Sequence, residues 1–335
     1  MRVAFFSTQT YDRTFFDRLN SSHGHELIWF DTHLNQKTAA LAAGAEAVCV
    51  FVNDTLDAST LETLSALGVR FVALRCAGFN NVDLPAAAGL GMTVVRVPEY
   101  SPYAVAEHAV ALILALNRRI PRAYNRVRDG NFKLDGLMGF DLHGKTVGVV
   151  GTGKIGAIFA RIMLGFGCRV LAVDPYPDLT LKSDLEAAGS GYAELAQVFA
   201  ESDVLSLHCP LNKHTHHLID AAAFGTSKST LMLVNTSRGA LVDTTALIQA
   251  LKQGRIGSVA LDVYEEEAEL FFADHSASLI QDDEFMRLLT FPNVLITAHQ
   301  AFFTEEAVES IATITLQNMS DLQDRGKCSN EVVAS

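Results

Sequence analysis

Thr146–Val150 is an apolar run, Thr-Val-Gly-Val-Val, that passes directly into Gly151-Thr152-Gly153-Lys154-Ile155-Gly156 and then into a helical pattern. Glycines at this spacing between a strand and a helix do separate jobs. Gly151 permits a tight turn, Gly153 lets the backbone approach a pyrophosphate, and Gly156 allows close helix-to-strand packing, with the helix N-terminus facing the anion. The next apolar run, 169–173, ends in Asp174. An acid about 20 residues beyond the glycines accepts hydrogen bonds from ribose hydroxyls and repels a 2′-phosphate, which predicts NAD rather than NADP. A glycine triplet alone is only a turn signal; strand, turn, helix, strand and acid in that order give it weight.

The fingerprint begins near the middle of a 335-residue chain, so another domain must precede it. Apolar runs at 3–6, 27–30, 47–52, 69–74 and 93–95 predict strands, with helices over 14–19, 37–43, 60–67 and 85–90 between them. The runs are continuous rather than alternating, as in parallel strands covered on both faces. After Tyr100-Ser101-Pro102 a helical segment over 104–116 continues toward Val127 beyond Pro121. A second series has strands at 146–150, 169–173, 204–208, 231–235, 259–262 and 294–297, helices such as 155–166, 192–200 and 244–253, and a last helix over 305–322. The pattern predicts an α/β chain of two doubly wound parallel-sheet domains. The expected division is a flavodoxin-like substrate domain, 1–100 plus 300–335, and a Rossmann NAD-binding domain, 101–299, with the ligand cleft between them.

With 49% hydrophobic and 19% charged residues, 23 Gly and 8 Pro, the chain is neither collagen-like nor disordered. Its 26 Lys and Arg stand against 38 Asp and Glu, a net charge of −12 that disfavours nucleic acid and anionic membranes as partners. A small anionic substrate would need a local cationic site. The longest apolar run, around 109–116, is far short of the about 20 residues that span a bilayer. The first residues read as a strand rather than a signal peptide. Cys49, Cys76, Cys168, Cys209 and Cys328 are odd in number and widely spaced, which fits free thiols in a reducing compartment, the cytoplasm.

Arg238, Glu267 and His299 follow predicted strands, and Tyr100 sits at the interdomain break. In open α/β sheets ligands bind outside the carboxyl ends of strands. Reducing a 2-keto acid needs a carboxylate anchor, which the arginine fork suits, and a proton donor for the developing alkoxide, which a histidine beside a carboxylate suits. Singly, such residues are more often surface groups or structural histidines; their joint placement shifts the balance.

Five segments, Arg75-Cys76-Ala77-Gly78-Phe79-Asn80-Asn81-Val82-Asp83, Gly151 to Gly156, Asn235-Thr236-Ser237-Arg238-Gly239-Ala240-Leu241-Val242-Asp243, Asp262-Val263-Tyr264-Glu265 and His299-Gln300-Ala301-Phe302, run through nearly the whole chain. In that order they resemble the D-isomer-specific 2-hydroxyacid dehydrogenases, most closely the fermentative bacterial branch that uses NAD and acts on pyruvate and D-lactate. The resemblance implies that Arg238 holds the substrate carboxylate and polarises the C2 carbonyl, that His299 is the acid/base, and that Glu267 is its carboxylate partner. Choosing Glu267 over Glu265 and Glu266 rests on family spacing from Asp262. It further implies that the Ala77 and Gly78 amides receive the substrate carboxylate and that Tyr100 closes over it. Lys154, Ile155, Asp174, Cys209, Pro210, Thr236, Ser237, Arg238 and Asp262 match positions lining the dinucleotide. One departure is visible: many members have Pro before the histidine where this chain has Ala298.

His214, His216 and His217 invite a metal reading, but they sit in a polar loop without a neighbouring Cys or acidic cluster to supply a third ligand, and no metal is expected. Cys209 reads as a packing residue rather than a nucleophile. The segment 104–116 is apolar on more than one helical face, which core packing and a subunit interface explain equally well, and the resemblance implies a homodimer or homotetramer. Two alternatives remain at this point: a reductase of another 2-keto acid such as glyoxylate or hydroxypyruvate, and a non-catalytic NADH-sensing binding protein of the same fold.

Overall fold

The computed structural model describes residues 1–267 and 270–333. The chain divides into two compact units, Met1–Ser101 with Phe303–Ser335, and Pro102–Phe302.

In the first unit β1 (Arg2–Phe5), β2 (Glu26–Trp29), β3 (Ala47–Val50), β4 (Phe71–Leu74) and β5 (Thr93–Arg96) form a parallel sheet in the order β2-β1-β3-β4-β5. Every residue of β3 and β4 is buried, as expected of strands covered on both faces. Helices α1 (Thr10–Asn20), α2 (Ala58–Ala66) and α3 (Leu84–Gly89) connect them. The side chains of Asp57 and Asp83 accept from the Thr60 and Ala86 amides and so start α2 and α3. The helix expected over 37–43 is instead a short 3-10 turn, Ala39–Ala42, closed by Asn35 and Thr38, which hydrogen-bond each other's backbone.

The second unit opens with α4 (Pro102–Asn117) and α5 (Ile120–Arg128). The sequence predicts continuous helix here, but Arg119 is left-handed, φ 52°, and the Asn117 amide side chain turns aside to pair with the Phe140 backbone. Seven parallel strands follow: β6 (Thr146–Val150), β7 (Arg169–Val173), β8 (Gly191–Tyr192), β9 (Val204–Leu207), β10 (Met232–Asn235), β11 (Ser258–Leu261) and β12 (Val294–Ile296), in the order β12-β11-β10-β9-β6-β7-β8. Tyr192, expected to open a helix, ends the edge strand β8. The helices are α6 (Lys154–Gly165), α7 (Leu179–Ala187), α8 (Leu195–Glu201), α9 (Ala221–Thr226), α10 (Thr244–Lys252) and α11 (Asp283–Leu289). The strand order reverses between β6 and β9, the position at which doubly wound sheets receive ligands. The final helix α12 (Glu305–Arg325) returns to the first unit, where Ala312, Leu316 and Met319 pack on Phe5, Phe16 and Cys49. No described helix is long and apolar enough to cross a membrane.

Candidate active site

At the switch point the three glycines differ in what surrounds them. Gly151 is left-handed at φ 91°, and a Cβ there would meet the Cys209 amide nitrogen at 2.6 Å. A Cβ on Gly156 would collide with the Gly151 carbonyl, so the first turn of α6 rests directly on the loop. Gly153 faces open space, with nothing within 4 Å of a Cβ, and caps α6 without any side-chain hydrogen bond. A helix N-terminus capped by a glycine, with room before it, fits a pyrophosphate. Asp174, at the end of β7, accepts from the Thr152 amide at 2.6 Å and the Tyr176 amide at 2.8 Å. Each carboxylate oxygen keeps a lone pair for a hydroxyl donor. The residues present therefore fit a dinucleotide.

Cys209 and Pro210 follow β9, opposite the glycine loop. Burial pushes the Cys209 thiol up to about 11, which makes it a packing group rather than a nucleophile. The Cys209 carbonyl accepts from Ser237 Oγ at 2.7 Å, which ties this strand end to the next one. There Asn235 shapes the turn by donating from Nδ2 to the Arg238 carbonyl at 2.8 Å and accepting from the Ser237 amide at 3.0 Å. Arg238 is partly exposed, and its Nη1 donates to the Ser237 carbonyl at 2.7 Å. Gly239 lies against Tyr264 and Glu265 so closely that a side chain would clash with their backbone.

Two further strand ends complete the arrangement. Glu267 Oε1 lies 2.8 Å from His299 Nδ1, while Oε2 accepts from the Tyr264 amide at 2.8 Å. A carboxylate can only accept, so Nδ1 carries the proton of this pair. His299 has φ 51°, a left-handed conformation, and its amide donates to the Asp262 carbonyl at 2.7 Å. The ring packs at a tilt on Phe272, 5.7 Å between centroids. Asp262 is fully buried; its Oδ1 accepts from Thr297 Oγ1 at 2.5 Å and the Gln300 amide at 2.9 Å, and Oδ2 from the Ala301 amide at 2.8 Å. His108 Nε2 stands 3.4 Å from the same carboxylate. Burial works to raise the Asp262 pKa, but these hydrogen bonds outweigh it and hold the carboxyl below its usual range. Asp262 thus sets the shape of the loop that carries His299. Sequence reasoning missed His108, Thr297 and Phe272, whose roles depend on tertiary placement alone.

Of the residues expected on the first unit, Ala77 and Gly78 follow β4 and Tyr100 follows β5. Arg96 Nη1 donates to the Ala77 carbonyl at 2.9 Å, and its guanidinium lies 5.0 Å over the Phe79 ring. Beneath this loop Arg75 is buried with Asp12, 3.3 Å away, and donates to the Ser7 carbonyl at 2.6 Å.

A dinucleotide loop at the sheet's switch point and a paired Glu–His beside an arginine loop define a class of nucleotide-dependent oxidoreductase. Residues 110–301 match the model of the D-isomer specific 2-hydroxyacid dehydrogenase NAD-binding domain, and the chain belongs to that family of NAD-dependent dehydrogenases. More particularly, it is 55% identical over 333 residues to the D-lactate dehydrogenase of Escherichia coli K12, covering 99% of this chain and 100% of that one. The apo-structure of the Escherichia coli D-lactate dehydrogenase superposes with a TM-score of 0.90 at 52% identity, covering 99% and 100% of the two chains. The D-lactate dehydrogenase of Lactobacillus jensenii, solved with NAD+, superposes with a TM-score of 0.80 at 31% identity over 100% of both chains.

Proposed function

We propose that this enzyme interconverts pyruvate and D-lactate with NADH and NAD+, and the observation that carries the proposal is the 2.8 Å contact of His299 Nδ1 with Glu267 Oε1. With Nδ1 committed to the carboxylate, Nε2 is the atom that exchanges a proton with substrate. Glu267 is itself fixed by the Tyr264 amide, so it holds the ring in one orientation. His299 then gives its proton to the carbonyl oxygen as the alkoxide develops. Arg238 takes the substrate carboxylate through its guanidinium fork and draws charge toward the C2 carbonyl. The family resemblance alone proposes the Ala77 and Gly78 amides and Tyr100 as further substrate-binding groups. When bound, NADH supplies the hydride; Gly151, Gly153, Lys154, Ile155 and Gly156 would hold its pyrophosphate, Asp174 its ribose, and Cys209, Pro210, Thr236 and Ser237 would line its remainder, while the fully buried Asp262 shapes the loop that carries His299.

NADH oxidation measured with pyruvate, glyoxylate, hydroxypyruvate and longer 2-keto acids tests this reading, with the chirality of the product determined. Pyruvate should give the highest kcat/KM and D-lactate as product. Preference for a different 2-keto acid would move the enzyme to that substrate, and cofactor binding without turnover would make it a binding protein.

Self-association as a homodimer or homotetramer is part of the same reading. Ile120, Tyr124 and Val127 on α5, with Phe132, Leu134 and Met138 beyond it, are large apolar side chains left exposed. Exposed apolar side chains recurring through this one segment favour burial against a second copy. The five cysteines are free and four are buried, which supports a cytoplasmic setting.

A further inference from the structure

The histidine loop for which the sequence offers no third ligand acquires one in the fold. One ligand atom from each of His216, His217 and Glu265 lies within 4.8 Å of the others. Glu265 comes 48 residues after His217, from the segment behind β11, and its Oε1 lies 2.6 Å from His217 Nε2.

The orientation of each group is fixed from behind. Glu265 Oε2 accepts from Thr244 Oγ1 at 2.9 Å and from the Thr244 amide at 3.3 Å, which leaves Oε1 aimed at the histidines. Burial works to raise the Glu265 pKa, but the hydrogen bonds from His217 and Thr244 outweigh it and keep the carboxylate charged. His217 is held by its amide, which donates to the Ala240 carbonyl at 2.8 Å, and takes a left-handed backbone, φ 51°. Its other ring nitrogen, Nδ1, lies 3.9 Å from Asp243 Oδ2. Metal-bound histidines characteristically turn their second nitrogen to a carboxylate, and ligating carboxylates are themselves hydrogen-bonded. His216 stacks on His217 with 3.9 Å between ring centroids and is exposed, so a hydrated ion has access.

An ion pair between His217 and Glu265 accounts for two of these groups and gives His216 no part. Two imidazoles and one carboxylate are the ligand set of a borderline transition metal with a position open to water, whereas Mg2+ and Ca2+ take oxygen ligands throughout. We propose that His216, His217 and Glu265 bind a divalent transition-metal ion, Zn2+ foremost. On binding, the His217 proton passes from Nε2 to Nδ1, beside Asp243. The ligand atoms settle ~3.3 Å apart, as metal–ligand bonds of ~2.0–2.1 Å require, so the His217–Glu265 contact opens by less than ~1 Å. The ion would join the 216–217 loop to the segment that leads to Glu267. Nothing in this site depends on which 2-keto acid the enzyme reduces.

The test is to titrate full-length protein, stripped with EDTA and freed of it, with Zn2+ by calorimetry and with Co2+ by visible absorption. One ion per chain and a ligand-field spectrum of nitrogen and oxygen ligation are expected. His216→Ala, an exposed change that leaves the fold intact, should weaken binding by about tenfold or more, as should Glu265→Gln, while His214→Ala leaves it unchanged. No uptake by the unmodified protein, or equal affinity in His216→Ala, overturns the site.

Discussion

Glu267 spans two backbone turns: one carboxylate oxygen holds the Tyr264 amide and the other holds His299 Nδ1, both at 2.8 Å. The ring therefore gets its orientation from a group anchored in a different loop. Glu267→Gln keeps a hydrogen-bond acceptor but loses the charge. It should lower kcat by about 10²-fold, within the range of general acid–base contributions, and leave the Kd for NADH unchanged. Loss of NADH affinity in step with kcat would show a structural defect instead.

His299→Ala removes the proton donor itself. Turnover with pyruvate should fall by about 10²–10⁴-fold at every pH, with NADH still bound, as read by fluorescence titration. Near-normal turnover would remove His299 from the chemistry.

Arg238→Lys exchanges a planar fork for a point charge. The expected result is a KM for pyruvate raised by about tenfold or more with the NADH Kd kept, since a charge-assisted hydrogen bond lost from a bidentate pair is worth ~1.5–3 kcal/mol. An unchanged KM would place the substrate carboxylate elsewhere.

Gly156→Ala sets a methyl group against the Gly151 carbonyl. Overpacking of this kind costs ~1–3 kcal/mol and displaces the start of α6 from the loop. A lower Tm together with a raised NADH Kd is expected. Gly153→Ala, where a Cβ meets nothing within 4 Å, should leave Tm nearly unchanged while still impairing NADH binding. Equal stability losses in both would contradict the packing described.

His208 is packed on Phe159, 4.8 Å between ring centroids, and loss of water pushes its pKa down to about 3. In the unfolded chain an imidazole titrates near ~6.5, so between those values the unfolded state binds the extra proton. Stability contributed by the neutral ring is full above pH ~6.5 and declines by up to ~1.4 kcal/mol per pH unit as the pH falls below it. His208→Asn should flatten the acid limb of denaturant-derived stability. An unchanged limb would show that other groups govern it.

The parallel sheets and the glycine loop were legible because both leave strictly local marks: continuous apolar runs of strand length, and glycines at a fixed spacing between a strand and a helix. The choice of Glu267 needed family spacing, because Glu265, Glu266 and Glu267 are chemically alike. The fold separates them, with Glu265 turned to His217 and Glu267 to His299. The break between α4 and α5 was missed because Arg119 carries no sign of a left-handed backbone; the cause lies with Asn117 and its partner Phe140. Asp262 read as a cofactor contact, and its bonds to Thr297, Gln300 and Ala301 became visible only when β11 and β12 were set side by side.

His299 occupies a left-handed conformation, φ 51°, which costs a residue with a side chain on the order of 1 kcal/mol or more relative to glycine. Protein engineers who rank variants by heat resistance alone would see glycine or asparagine at this position as an improvement. A stability screen of this enzyme would thus select inactive proteins at its acid/base position unless turnover is scored alongside melting.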